Sequence, residues 1–363
     1  MSKTLMVVAG TQVLPDQILK KLQRHADVRI VVPSPGLAVP AAWGAWGRQV
    51  HVLSATPDTT TALVELAAQQ HADALMTFDA AWSGPVSRAA AYLGIPGNAP
   101  DLPAARWQSA FVQAGGTLTD LRSARNLPDL LHNLSHTGVP ALLRLPDGWG
   151  DSHHWPITAD DDLTTVWHEW RAALSRLRQQ GLLPFSAEPD EAAGIVQAQY
   201  PPFEAVVHVT GLVRDHLWTP VSLLSSSAQA HPSPQASLSL PCAASQEDQH
   251  WVQRAAQHLA DVLGLRRGAL QLTIGRDACN HFWLLHVHPS VSLDAAITTE
   301  LSTGTDLVDL WVRALLDLPW HEGSISPIET QTAVGAVPFT PVDARGEPWR
   351  NTLRLNTLID FQA

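Results

Sequence analysis

Lysine is almost missing from this chain of 363 residues. Lys3, Lys20 and Lys21 are the only ones, so arginine carries the rest of the positive charge. Nothing beyond residue 21 can supply an ammonium side chain. Cysteine is as scarce. Cys242 and Cys279 stand far apart in sequence, and neither a disulfide framework nor a metal-ligand spacing follows from them. They read as the reduced thiols of a cytoplasmic protein. Charged residues make up only 16% of the chain and the net charge is −11, which argues against nucleic acid or an acidic membrane surface as partner. No apolar run is long enough to span a bilayer. The N-terminal M-S-K-T-L-M-V-V-A-G reads as a first strand and not as a signal peptide. The chain shows no internal repeat.

What is present is a globular composition, 45% hydrophobic, and enough length for two to three domains. Residues 4–9 are a continuous apolar run ended by Gly10, the pattern of a buried parallel strand entering a tight turn. Strands at 28–32, 49–53 and 74–78 alternate with helices at 15–25, 59–71 and 86–93, which predicts a doubly wound parallel sheet. Gly94 is the expected stop of the third helix. Further helices are expected over 104–114, 160–180 and 247–263, and further strands over 139–145, 195–199 and 203–211. Trp43 and Trp46 sit in a Pro/Gly-rich loop, where packing beneath the loop is their expected use. The Ser/Pro-rich segment 225–241 reads as an exposed loop. Late strands are expected at 333–338 and 353–359.

The most informative stretch is 264–318. Its first half reads L-G-L-R-R-G-A-L-Q-L-T-I-G-R-D-A-C-N-H-F-W-L-L-H-V-H-P-S from Leu263. A strand at 269–274, a turn at 275–280 and a strand at 282–287 are expected, followed by T-G-T-D-L-V-D-L and a helix ending near Leu318. This order resembles the C-terminal half of the ATP-grasp superfamily, in its biotin-carboxylase and amino-acid-ligase branch. There G-x-x-x-x-E, a hairpin, E-x-N-x-R and G-x-D-L-x-x-L follow one another. The resemblance runs over residues 4–318 as an ordered series of elements. It implies an α/β and α+β protein with the ATP-grasp fold, preceded by a doubly wound parallel sheet. The implied division is 1–100 (Rossmann-like), 101–200 (first lobe, with a glycine-rich loop), 201–320 (second lobe) and 321–363 (C-terminal extension). Mg-ATP as cofactor, a small-molecule substrate and carboxylate–amine ligase chemistry are likewise implied, natural-product biosynthesis being a setting where such relatives occur. A homodimer is compatible with the resemblance.

Carried over residue by residue, the resemblance puts Arg106 and Arg144 where the family has its two ATP-binding lysines, and Gln197 near the adenine. The phrase P-D-G-W-G-D-S-H-H-W, with Gly148, Gly150, His153 and His154, takes the place of the glycine-rich loop. Glu204 matches the opening Glu of the next strand, and His208 shares its face by strand alternation. The family's metal-holding carboxylates and amide fall on Thr273, His286 and His288, and its arginine on Ser290. None of these is a carboxylate, and magnesium asks for oxygen ligands in octahedral array. Three uses of the cleft follow. The first is a repurposed enzyme with His286, His288 and His208 as catalytic groups, imidazole being the side chain that titrates near neutrality. The second is a divergent ATP-dependent ligase with arginine in place of lysine. The third is a non-catalytic metabolite- or partner-binding relative. His286 and His288, at i and i+2 on one strand, also form half of a transition-metal site that His208, His153, His154 or Glu204 would complete. The plain alternative is packing or solvent exposure of a histidine pair in a histidine-rich chain.

Overall fold

The computed structural model describes residues 2–10, 14–32, 43, 49–53, 58–98, 104–117, 119–144, 155–179, 194–226, 238–239, 245–262, 264–320, 334–336 and 359–360. The expected glycine-rich loop with His153 and His154, Trp46, and most of the C-terminal extension lie outside these residues.

Thr4–Val8 (β1), Asp27–Val32 (β2), Val50–Val52 (β3) and Ala74–Thr77 (β4) form a parallel sheet in the order β3-β2-β1-β4. Strand alternation sends Leu5 and Val7 to one side of β1 and Met6 and Val8 to the other. The first side packs on Asp16–Gln23 (α1), and the second on Thr59–Gln69 (α2) and Ala80–Leu93 (α3). Helices on both faces make this the expected doubly wound arrangement. Asp58 and Asp79 start α2 and α3 by accepting backbone N–H groups at 3.0 Å each, and Gly94 ends α3 in the left-handed conformation. The helix α3 begins at Ala80, earlier than the expected 86, because the Asp79 cap outweighs Pro85 in its middle.

A second, antiparallel sheet has the order β5-β8-β6-β7, from Leu121–Ala124 (β5), Ala141–Arg144 (β6), Trp155–Ile157 (β7) and Gly194–Ala198 (β8). Leu127–Thr137 (α5) and Leu163–Gln179 (α6) cover one of its faces, with Leu143, Val196 and Trp170 at the centre of that core.

The third sheet is the largest. Phe203–Arg214 (β9), Leu217–Ser226 (β10), Leu238–Ser239 (β11), Arg267–Asp277 (β12), Phe282–His288 (β13), Val334–Ala336 (β14) and Ile359–Asp360 (β15) run in the order β13-β12-β9-β10-β11-β14-β15. Ala104–Gln113 (α4) and Gln246–Val262 (α7) pack on one face, over Val207, Val209, Leu270 and Leu272. On the other face Leu212, Val221 and Ala269 meet Leu293–Thr303 (α8) and Leu307–Leu316 (α9). The helix α9 also packs on the parallel sheet, where Trp311 stands edge-on to Phe78 at 5.2 Å. Its N-terminus is capped by Asp306, which accepts from the Asp309 N–H at 3.1 Å.

Lys3 donates to the Leu316 carbonyl at the end of α9. Lys21 on α1 bridges Glu300 on α8 and Asp306 before α9, and His25 bonds Asp309. Among the described residues, no helix is long and apolar enough to cross a membrane.

Candidate functional site

The site is built by strand register. On the third sheet His208 of β9, Thr273 of β12 and His286 of β13 are consecutive cross-strand partners. Thr210, Gln271 and His288 form the next row on the same face. Two residues further along this face Leu212 and Ala269 enter the core under α9, so the polar rows begin where the helical cover ends. The expectation from i and i+2 spacing holds: the His286 and His288 rings stack with centroids 5.7 Å apart. His208 is fixed by Thr273, its Nδ1 lying 3.0 Å from Thr273 Oγ1.

His288 is buried, and burial pushes its pKa down to about 4, against an opposing hydrogen bond from its ring to the Ser290 carbonyl. Its Nδ1 lies 2.8 Å from Ser290 Oγ. Ser290 Oγ lies 3.2 Å from Ser83 Oγ of α3, which accepts from Asn98 Nδ2 at 3.2 Å. Asn98 in turn closes on both backbone groups of Thr77 at the end of β4. The end of β13 is thus pinned to the C-terminal edge of the parallel sheet, and His288 is held as a neutral imidazole in one orientation.

The other expected site residues divide. Arg144 of β6 and Gln197 of β8 are buried on the face of the second sheet opposite α5 and α6, since Leu143 and Val196, one residue off in register, enter that helical core. The Gln197 Oε1 atom is buried and has no hydrogen-bond partner among the described residues. Arg106 lies exposed on α4. Glu204 is brought to neither histidine row. It is exposed, and its carboxylate accepts from Arg276 at 3.4 Å, while Arg276 also reaches Asp248 of α7 at 3.4 Å. A register shift between Arg276 and Asp277 breaks the alternation that would have aligned Glu204 with His208.

Sequence reasoning missed two participants. Ser83 and Asn98 approach Ser290 only through the packing of the two sheets, and no local pattern marks them. Asp294, in the first turn of α8, has its carboxyl pKa raised by burial. The start of α8 is tied to the polar rows by the Ser292 N–H, which donates to Gln271 Oε1 at 3.3 Å.

Imidazoles at His286 and His288 and hydroxyls at Thr273 and Ser290 do not fit the paired magnesium ions implied by the resemblance. Magnesium takes oxygen ligands with near-ideal octahedral geometry, and a buried neutral imidazole offers neither the oxygen nor the charge.

No family model matches the chain, and no curated protein matches it. Solved structures do. The chain is similar to the L-amino acid ligase from Bacillus licheniformis at 16% identity and a TM-score of 0.66, over 94% of this chain and 81% of that one. It is similar to carboxyaminoimidazole ribonucleotide synthase from Aspergillus clavatus complexed with ATP, at 12% identity and a TM-score of 0.67, over 92% and 81%. Biotin carboxylase from Campylobacter jejuni matches at 11% identity and a TM-score of 0.66, over 96% and 78%. On these likenesses, which take in the parallel sheet and the two further sheets, this chain has the ATP-grasp fold.

Proposed function

We propose that this chain is an enzyme of small-molecule, natural-product type biosynthesis whose ATP-grasp cleft works with imidazoles and not with a magnesium-ATP centre. The observation that carries the reading is the histidine face: His208, His286 and His288 occupy two adjacent register rows, and His288 is held neutral. A neutral imidazole with one nitrogen hydrogen-bonded presents the other as acceptor, donor or metal ligand. His286, less buried than His288, is the group placed to exchange a proton with substrate. His208, oriented by Thr273, is its neighbour across the sheet.

Calorimetry with millimolar Mg-ATP tests the reading. The expected outcome is no saturable binding below the millimolar range. A low-micromolar dissociation constant, or ADP release dependent on an added carboxylate and amine, would overturn it.

A second reading, a divergent ATP-dependent carboxylate–amine ligase, is favoured by one observation. Arg144 and Gln197 share a buried sheet face, and Gln197 Oε1 lacks a donor among the described residues. A buried acceptor of this kind suits the amino edge of a base, and a guanidinium suits phosphate. Gln197→Ala separates the two readings. It weakens nucleotide binding under the second and leaves weak nucleotide binding unchanged under the first.

A further inference from the structure

The turn between β12 and β13 gathers three donors of different chemistry. Asp277 and His281 are the residues that close this hairpin: Asp277 N–H donates to the His281 carbonyl at 3.1 Å, and Asn280 N–H to the Asp277 carbonyl at 3.0 Å. Ala278, Cys279 and Asn280 form the loop, with Asn280 in the left-handed conformation at φ 62° that a three-residue hairpin loop needs. Closing a hairpin puts its last pair of side chains on one side. Cys279 at the apex is held to the same point, because Asp277 Oδ1 accepts both the Cys279 N–H at 2.8 Å and the His281 N–H at 2.9 Å. One ligand atom each from Asp277, Cys279 and His281 therefore lie within 4.8 Å of one another.

We propose that Asp277, Cys279 and His281 bind a divalent transition-metal ion of the zinc class. A carboxylate oxygen, a thiolate and an imidazole nitrogen form a borderline-soft set that excludes magnesium and calcium as preferred occupants. In a tetrahedral site with bonds of about 2.1 Å, ligand atoms stand roughly 3.4 Å apart. Asp277 Oδ2 and His281 Nδ1 are already at 3.2 Å, so that edge needs almost no movement. Trp283 Nε1 donates to Asp277 Oδ2 at 2.9 Å, the kind of support that fixes a ligating carboxylate. Cys279 and His281 are exposed, which gives the ion a path in and leaves its remaining position to water. On binding, the thiol proton passes to solvent and the sulfur becomes the metal's ligand. This site is separate from the histidine face and does not depend on the function proposed for it.

Cobalt(II) is the probe. The whole chain is titrated under reducing conditions while thiolate-to-cobalt charge-transfer absorption and the summed tryptophan fluorescence are followed. A His132→Ala/His136→Ala background is used, because those two rings lie 4.7 Å apart on α5 and offer cobalt a competing pair of imidazoles. One equivalent of cobalt should give the band and a fluorescence change, and zinc should displace it. Cys279→Ser should abolish the band, His281→Ala should weaken binding at least tenfold, and Cys242→Ser should change neither. A chain without the band, or a band that survives Cys279→Ser, overturns the proposal. Cys279, His281, His132 and His136 are exposed, and an unchanged circular dichroism spectrum confirms that loss of the band is loss of a ligand.

Discussion

His288 illustrates how a single side chain reports on its surroundings. Its neighbours hold it neutral, with a pKa lowered from 6.5 to about 4. In the unfolded chain the ring titrates near 6.5, so between these values the unfolded state binds a proton that the folded state does not. Stability is therefore complete above pH 6.5 and declines as pH falls toward 4, by up to about 3 kcal/mol at one pKa unit per ~1.4 kcal/mol. Urea unfolding from pH 7 to pH 4.5 checks this against His288→Gln, whose stability should fall less steeply over that interval. Equal slopes, or a His288 ring resonance with a midpoint near 6.5, would show that solvent reaches the ring. The histidine pair itself was legible in the sequence, because strand alternation makes i and i+2 neighbours. Ser83, Asn98 and the neutral state of His288 were not, since they arise from two sheets meeting. The hairpin cluster was within reach: D-A-C-N-H becomes three converging donors once the turn is placed after Asp277 and not at 275.

At the scale of elements, the strands of the parallel sheet were readable because burial on both faces leaves an unbroken apolar run. The helix α8 was not. Ala295, Ala296, Ile297, Thr298 and Thr299 are successive buried positions, so no polar face marks a helical period. The end of strand β10 was hidden for a related reason: the Ser/Pro-rich segment from residue 225 was expected to be an exposed loop, yet Ser225 is buried and paired to Val207 of β9. Gly211 shows what the β9–β10 pairing demands. A Cβ there would lie 2.4 Å from Trp218 Cζ2 and 2.6 Å from the Thr219 carbonyl oxygen. Trp218 is itself buried and the carbonyl is backbone, so neither yields easily. Gly211→Ala should cost about 1–3 kcal/mol by overpacking, read as a lower urea midpoint with unchanged slope. An unchanged midpoint would mean that the β9–β10 hairpin opens freely at this position.

Over the whole molecule, α9 ties two sheets together, with one side on the parallel sheet and the other on the large antiparallel sheet. Charge reinforces the seam. Lys3 and Lys21 reach α9 and α8, and Lys20 pairs with Asp16 on its own helix at 2.5 Å. Every lysine of the chain thus sits within its first 21 residues, and two of them are spent on this one seam. A lysine-specific protease accordingly has no other place to cut. Cleavage after Lys20 or Lys21, which lie within α1, requires that helix to leave α8 and α9 and unwind, so the rate of that nick reports the opening of the seam. Beyond Lys3 the intact chain should resist such a protease, and Asp309→Asn combined with Glu300→Gln should speed the nick in α1 severalfold. Equal rates would place the opening elsewhere. The seam thus carries its own proteolytic clock, set by where two ammonium groups were left on α1.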